Sequence, residues 1–266
     1  YFYEMTSMWF EDVLIPDGND YLDGWADPLL ENPDVEFDNT GNGYELALFG
    51  HYLSSFLDTK GLEDAKNSTI IREMWEKYGS ANSNAFYAVE YVLENNYDVS
   101  FIEAWTDFMS RNLYNGIDES YYYYVDQVFV DPIATSPQYM GDNESFTLQL
   151  DDESVVIKSF YLNSLDTLFT THSTNDYVGR IAILSDNNSI NNLEWGSNNT
   201  SFITDDEVHF IYGSENGGAV TINLFDNYPY DYSLVDINPS SGFYLETLSP
   251  GYFENEVTLH YFGHQN

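Results

Sequence analysis

The sequence has no cysteine, very few basic residues and no long hydrophobic run. Without cysteine the chain has no disulfide, no thiolate nucleophile and no cysteine-ligated metal. It has 45 acidic residues against seven lysine and arginine residues, and the net charge of −38 repels phosphate backbones and anionic lipid headgroups. An uninterrupted apolar run of about 18 residues, the minimum for a membrane span, is also missing. We therefore expect neither nucleic-acid binding nor membrane insertion.

Core-forming residues, by contrast, are plentiful. Of 266 residues 43% are hydrophobic and 18% aromatic, which suffices for one large domain or two ordinary ones. A charge this negative suits a salty or calcium-containing medium, where cations screen the self-repulsion of the folded chain. We predict an extracellular or cell-surface protein. Because the chain opens on Tyr1, we also expect a processed or truncated N terminus.

Apolar residues follow helical spacing in the first 115 residues or so. The spacing predicts a first helix over residues 2–14, with one apolar stripe made of Phe2, Met5, Trp9 and Val13. A loop is expected from 15 to 44, and the pattern then predicts further helices near 44–57, 70–78 and 83–94. A last helix is predicted to start at Ser100 and to end near Asn115-Gly116. Its start signal is the clearest in the chain, because Ser100 and Glu103 form a capping box.

Alternating and β-branched runs replace the helical pattern after the tyrosine run 121–124. They predict strands near 128–130, 145–150, 155–161, 168–171, 179–184, 208–212, 219–224, 243–247 and 257–262. Gly, Asn and Asp clusters separate these runs at intervals typical of a sandwich. The sequence therefore predicts an α+β protein, with a helical subdomain at 1–120 followed by an all-β, sandwich-like domain at 121–266.

Most enzyme motifs are absent from the chain. It has no His-Glu-x-x-His, no Gly-rich phosphate loop and no Gly-x-Ser-x-Gly turn. The five histidines are scattered, and we interpret them as structural; they are His51, His172, His209, His260 and His264. His260 and His264 are four residues apart, but they fall in or next to a predicted strand, where that spacing does not bring two side chains to one metal. We expect no catalytic constellation in the β half.

The order of several segments in the helical half carries a resemblance. The segments are residues 1–12 (YFYEMTSMWFED), 19–21, 43–54, 70–76, 104–108 and 115–116. Together they resemble a family of secreted bacterial zinc metallopeptidases of the gluzincin type. The similar part follows the zinc-binding His-Glu-x-x-His helix of that family and precedes a β-rich domain. The resemblance covers roughly the first 115 to 130 residues, and the order of the motifs is more specific than any one of them.

The resemblance implies a role for two acids of the first helix. Catalytic zinc commonly takes two imidazoles, one carboxylate and a water molecule. In this family Glu4 would be the third zinc ligand, and Glu11, two turns further along the helix, would support a histidine ligand or simply face solvent. The histidine pair and the general base belong to a helix that should precede Tyr1. We therefore expect zinc only where that upstream segment is present, and no peptidase activity from this chain by itself.

An acidic loop and several sequons suggest further sites. Asp17, Asn19 and Asp20 offer the hard oxygen ligands that calcium prefers, although the spacing is not that of an EF-hand, and a solvated acidic loop is the alternative. Potential N-glycosylation sites occur at Asn67, Asn143, Asn187, Asn198 and Asn199. A chain this rich in asparagine also produces such sequons by chance.

Tyrosine is the most abundant aromatic residue, with 24 copies. Tyr228, Tyr230 and Tyr232 alternate and would share one face of a strand, as a contact surface for another protein or another copy, or as core. The sequence as a whole predicts a secreted or cell-surface protein derived from a zinc metallopeptidase scaffold and inactive alone. The alternative is a structural or binding subunit of an extracellular assembly, such as a filament or surface layer.

Overall fold

The structure is a computed structural model. It describes residues 1–22, 24–37, 43–60, 68–80, 84–140, 144–162, 167–172, 178–184, 190–194, 199–203, 207–225, 234–236, 239–240, 242, 244–245 and 247–248.

Helices occupy the N-terminal half of the described chain. They are α1 (Phe2–Leu14), α2 (Asp27–Glu31), α3 (Ala47–His51), α4 (Thr69–Ser80), α5 (Ala85–Tyr97) and α6 (Phe101–Asn112). A π-helical stretch, Tyr52–Leu57, continues α3. The expected loop between residues 15 and 44 is only partly a loop, because it contains a 3₁₀ turn (Asp20–Leu22) and α2. No helix in the described part is long and apolar enough to span a bilayer.

The end signals of α6 form as the sequence predicts. The Ser100 hydroxyl accepts a hydrogen bond from the Glu103 backbone N–H, and the Glu103 carboxylate accepts one from the Ser100 N–H at 2.8 Å. These two bonds satisfy amide groups that the first helical turn leaves unpaired. Gly116 has a left-handed backbone (φ +66°), the conformation that glycine tolerates best where the chain leaves a helix.

The C-terminal half of the described chain is built from strands. These are β1 (Gln138–Met140), β2 (Ser145–Leu150), β3 (Ser154–Leu162), β4 (Thr167–His172), β5 (Val178–Leu184), β6 (Ile190–Glu194), β7 (Asn199–Ile203), β8 (Glu207–Ser214), β9 (Gly218–Phe225), β10 (Leu234–Val235) and β11 (Thr247–Leu248). A five-stranded sheet has the order β1-β3-β8-β5-β6, and a four-stranded sheet has the order β2-β9-β4-β7. All their neighbouring strands are antiparallel except β1 and β3. The α+β class predicted from the sequence is therefore confirmed.

Two hydrophobic cores divide the described residues between them. The smaller core lies between the sheets and includes Phe160, Phe210 and Val220. The larger core is helical, and it also takes in Val155 and Ile211 from the opposite face of the five-stranded sheet. Successive strand residues point to opposite faces, so one sheet serves both cores. The molecule is thus layered as helices, five-stranded sheet and four-stranded sheet.

The predicted strand at 128–130 is wrong, because the chain forms a 3₁₀ turn at Val125–Phe129. The buried Gln127 side chain accepts a hydrogen bond from the Tyr123 N–H at 2.7 Å and donates one to Asn115 Oδ1 at 2.6 Å. These bonds fix the turn locally, and they outweigh the β-propensity of the valines on either side.

Other differences concern strands that the sequence pattern does not single out. β1, β6, β7 and β10 were not predicted. β6 and β7 both contain asparagine, which strands disfavour, and their pairing with β5 and β4 makes them strands. The predicted strand at 243–247 is wrong at residues 244–245, where the chain turns and Leu245 has a left-handed backbone (φ 68°) that a strand does not allow, and β11 begins only at Thr247. The predicted strand at 257–262 lies outside the described residues.

Candidate functional site

Helix α1 presents two acids on the side away from its buried stripe. Met5 and Trp9 are buried, Glu4 is half-buried and Glu11 is exposed. The Tyr44 hydroxyl hydrogen-bonds to the Glu4 carboxylate, and this bond is the main cause that raises the pKa of Tyr44. Glu11 lies two turns beyond Glu4 on the same face of the helix, as the helical spacing predicts.

The described residues do not form a zinc site by themselves. Within the described part of the chain no group of three His, Cys, Asp or Glu side chains is placed to hold a metal ion. The partner that the structure gives Glu4 is a phenol, and a catalytic zinc needs imidazoles as well as one carboxylate. The roles that the resemblance implies for Glu4 and Glu11 stay predictions.

A cleft opens at the C-terminal end of α1. It has a volume of about 140 Å³ and lies between the last turns of the helix and the loop that follows, with Met8, Glu11, Asp12, Ile15, Gly18, Asn19, Asp20 and Tyr21 as its lining. The loop turns sharply, because the Gly18 N–H bonds to the Ile15 carbonyl at 2.7 Å. A Cβ on Gly18 would lie only 2.9 Å from that carbonyl oxygen, so glycine permits the turn.

A buried acid and histidine lie directly behind this cleft. Asp12 Oδ2 is 3.2 Å from His51 Nε2, and both side chains are almost fully enclosed. Neither His51 Nε2 nor Asp12 Oδ1 makes a hydrogen bond of good geometry, so the contact is an ion pair only if His51 is protonated. The His51 ring stacks on Tyr124 with centroids 4.4 Å apart, and the Tyr21 hydroxyl donates to the Tyr124 hydroxyl at 2.8 Å.

Negative charge is concentrated around this pair. Burial raises the pKa of Asp126, and the nearby Asp12 and Asp17 carboxylates raise it further, while His51 lowers it. Burial likewise raises the pKa of Tyr21. Nearby carboxylates add to the effect of burial in both cases, since Asp12 and Asp126 also raise the pKa of Tyr21, so an additional negative charge is unfavourable here.

The predicted calcium residues are only partly gathered at the cleft. Asn19 and Asp20 line it, whereas Asp17 is exposed in the turn just before them. Asn19 has a left-handed backbone (φ 47°), which asparagine adopts more readily than most residues. Two carboxylates and one amide are by themselves a weak set of calcium ligands, and calcium binding at this loop stays a prediction.

The β half brings a carboxylate, a hydroxyl and an imidazole together. Ser159 on β3 lies opposite His209 on β8, with Ser159 Oγ 2.7 Å from His209 Nδ1. Glu207 Oε1 is 3.7 Å from His209 Nε2 and accepts a hydrogen bond from Thr135. The local sequence could not reveal this group, because its members meet only through the register of two strands 50 residues apart.

Burial limits what the Ser159, His209 and Glu207 group can do. Ser159 is 7% exposed and His209 is 4% exposed. Burial also lowers the pKa of His209 to about 4, so the imidazole is neutral and a weak base near pH 7. We interpret the group as structural.

Several other predicted sites fall outside the described residues. These are Asn67, Asn143, Asn187 and Asn198, together with Tyr228, Tyr230, Tyr232, His260 and His264. Asn199 is the first residue of β7 rather than a loop residue, and His172 is the last residue of β4.

Comparisons with known proteins reveal little about the family. Protein-family models and curated proteins both give no match. Among solved structures the chain is similar to PliG of Salmonella Typhimurium, a periplasmic inhibitor of g-type lysozyme, with 5% identity and a TM-score of 0.25 over 34% of this chain and 98% of that one. It is also similar to the full extracellular region of zebrafish Gpr126/Adgrg6, with 9% identity and a TM-score of 0.23 over 38% of this chain and 16% of that one. Similarities this low carry no inference about activity or partners.

Proposed function

We propose that this chain is a secreted or cell-surface protein built on a zinc-metallopeptidase scaffold, and that it has no peptidase activity by itself. The observation that carries the proposal is the setting of Glu4. It lies half-buried on α1, on the side opposite the apolar stripe, and its carboxylate interacts with the Tyr44 hydroxyl, whose pKa it raises. Such a setting suits a carboxylate ligand whose imidazole partners come from elsewhere.

A zinc-binding and proteolysis assay tests this function. We expect residues 1–266 to bind zinc no more tightly than their Glu4→Gln variant and to cleave no general protein substrate. In the product of the whole gene, Glu4→Gln should lower zinc occupancy, while the matched Glu11→Gln should leave most of it. Chelator-sensitive proteolysis by residues 1–266, or equal zinc occupancy of the wild-type and Glu4→Gln whole-gene products, would count against the proposal.

A second candidate function is that of a binding subunit in an extracellular assembly. It is favoured by exposed apolar side chains where the helical half meets the strands. Val125 is 79% exposed and Phe129 is 69% exposed, both on the 3₁₀ turn that ends the helical half. Ile117 and Val128 in the same segment are exposed too. Exposed apolar clusters of this kind are typical of protein contact sites.

A further inference from the structure

Two buried oxygen atoms at the cleft beside α1 have no hydrogen-bond partner among the described residues. Asp12 is only 7% exposed, and its Oδ1 atom is unpaired, as is Oδ1 of Asn19. Both residues line the cleft. A buried oxygen without a partner costs on the order of 1–3 kcal/mol, more when it is charged, so most such groups in native proteins have a partner. Oxygens of this kind in a cleft therefore point to a donor that comes from outside.

The charges around the cleft favour a cationic donor over a neutral one. Glu11 and Asp20 are exposed at its rim, and Asp12 lies behind them. No lysine or arginine is among the described residues that line the cleft, and the whole chain has seven of them against 45 acids. His51, behind Asp12, is the nearby basic group, and it contacts the other carboxylate oxygen.

The size and walls of the cleft favour an organic cation over a metal ion. Its volume of about 140 Å³ far exceeds the roughly 10–15 Å³ that one water molecule needs. Met8, Ile15 and Tyr21 supply apolar wall, which suits the methylene stem of a long basic side chain. Calcium binding draws on several carboxylates at once, whereas no trio of acidic or imidazole groups in the described residues is placed to hold a metal.

We propose that this cleft binds the cationic end of a lysine or arginine side chain of a partner protein. The ammonium or guanidinium group donates to Asp12 Oδ1 and Asn19 Oδ1, its stem lies along Met8 and Ile15, and Glu11 attracts it at the rim. Both receiving oxygens are closed to solvent in the free chain, so the rim side chains shift when the cation enters. The inference rests on α1 and the loop after it, and it does not depend on zinc or on the proposed peptidase ancestry.

Titration of the full chain with singly charged probes tests this site. The probes are N-acetyl-lysine amide and N-acetyl-arginine amide, with the neutral N-acetyl-norleucine amide for comparison, in 0.15 M salt to suppress diffuse attraction. We expect the charged probes to bind and the neutral one not to. Asp12→Asn should weaken binding about tenfold or more, because it removes a charge-assisted hydrogen bond. The ratio of the lysine and arginine affinities shows which side chain fits better.

The matched control is Asp17→Asn, which removes the same charge from an exposed neighbour and should change the affinity little. Equal weakening by Asp12→Asn and Asp17→Asn would mean diffuse attraction and would overturn the proposal. If Asp12→Asn does not fold, the Asn19→Asp variant tests the site instead. The added carboxylate should tighten binding of the charged probes, and an unchanged affinity would contradict the proposal. The proposal would also be overturned if neither charged probe bound and the chain instead bound calcium, more tightly in Asn19→Asp. That result would identify a metal site.

Discussion

His209 is the residue whose protonation the fold opposes most clearly. Its imidazole is buried next to Ser159 and Glu207. The unfolded chain protonates this histidine near pH 6.5, whereas burial lowers its pKa to about 4 in the folded chain. Between these values the unfolded state binds more protons, so the contribution to stability is complete above pH 6.5 and is lost as the pH falls toward 4.

We therefore predict that His209→Gln flattens the pH dependence of unfolding. Wild type should lose on the order of 3 kcal/mol from this group between pH 6.5 and 4, and the variant should lose less. Urea unfolding at a series of pH values measures the difference. Burial raises the pKa of Glu207, so the contribution of Glu207 to stability falls as the pH rises, whereas that of His209 grows. Glu207→Gln therefore serves as the control and should keep the histidine-dependent slope. An unchanged slope in His209→Gln would assign the pH dependence to other groups.

Gln127 is a second residue whose loss should be costly. It is fully buried, and its amide connects Tyr123 to Asn115. Gln127→Met keeps the size of the side chain but leaves the Tyr123 N–H and Asn115 Oδ1 without those partners. We expect destabilisation of about 2–3 kcal/mol, measured by chemical unfolding. Gln138, exposed on β1, provides the matched control, and Gln138→Met should change stability by less than about 0.5 kcal/mol.

At the scale of elements, the contact between α6 and the five-stranded sheet depends on one small residue. A Cβ on Gly213 of β8 would fall against Thr106 Oγ1 and within 2.9 Å of Ile102 Cγ1, both on α6. Gly213→Ala should therefore force the helix away from the sheet and cost about 1–3 kcal/mol in thermal or chemical unfolding.

Gly79, in α4, is the control for this substitution. A Cβ there would meet no atom within 4 Å, so Gly79→Ala should stabilise the chain by up to about 1 kcal/mol through its effect on helix propensity. If Gly213→Ala proved neutral or stabilising, α6 would not pack against the sheet as closely as the structure shows.

Local signals predict the elements well where each helix or strand carries its own pattern. The apolar stripe of α1 and the capping box of α6 lie within a few residues of sequence, and both are found in the structure. The turn at Val125–Phe129 was missed because a single buried amide overrides the β-propensity of the segment.

The sequence pattern predicts only the part of the candidate site that α1 and the loop after it provide. The helical period places Glu4 and Glu11 away from the apolar stripe, and the acidic loop follows in sequence. The contact of Asp12 with His51 joins residues 39 positions apart, and that of Ser159 with His209 joins residues 50 apart. Such pairs depend on tertiary packing and strand register, which a local pattern does not encode.

At the scale of the whole molecule, net charge opposes every contact between copies. With a charge of −38, two molecules repel each other over about 10 Å at 0.1 M salt and over only about 3 Å at 1 M. The apolar side chains exposed in the segment 117–129 attract only at contact distance. Repulsion therefore dominates at low ionic strength, and the balance moves toward association as salt is added.

We predict that self-association of the chain strengthens with salt and proceeds through the segment 117–129. Light scattering between 0.1 and 1 M sodium chloride should show the mean mass rising. The double variant Val125→Ser, Phe129→Ser should suppress that rise, because it removes the most exposed apolar atoms of the segment. The control variant Phe10→Ser, Leu14→Ser removes two exposed apolar side chains from α1 and should leave the rise in place. A second series in calcium chloride at equal ionic strength separates charge screening from calcium ions that bridge two molecules. Only bridging would raise the mean mass above that in sodium chloride. A monodisperse monomer in every condition would leave repulsion unopposed and contradict assembly through this segment.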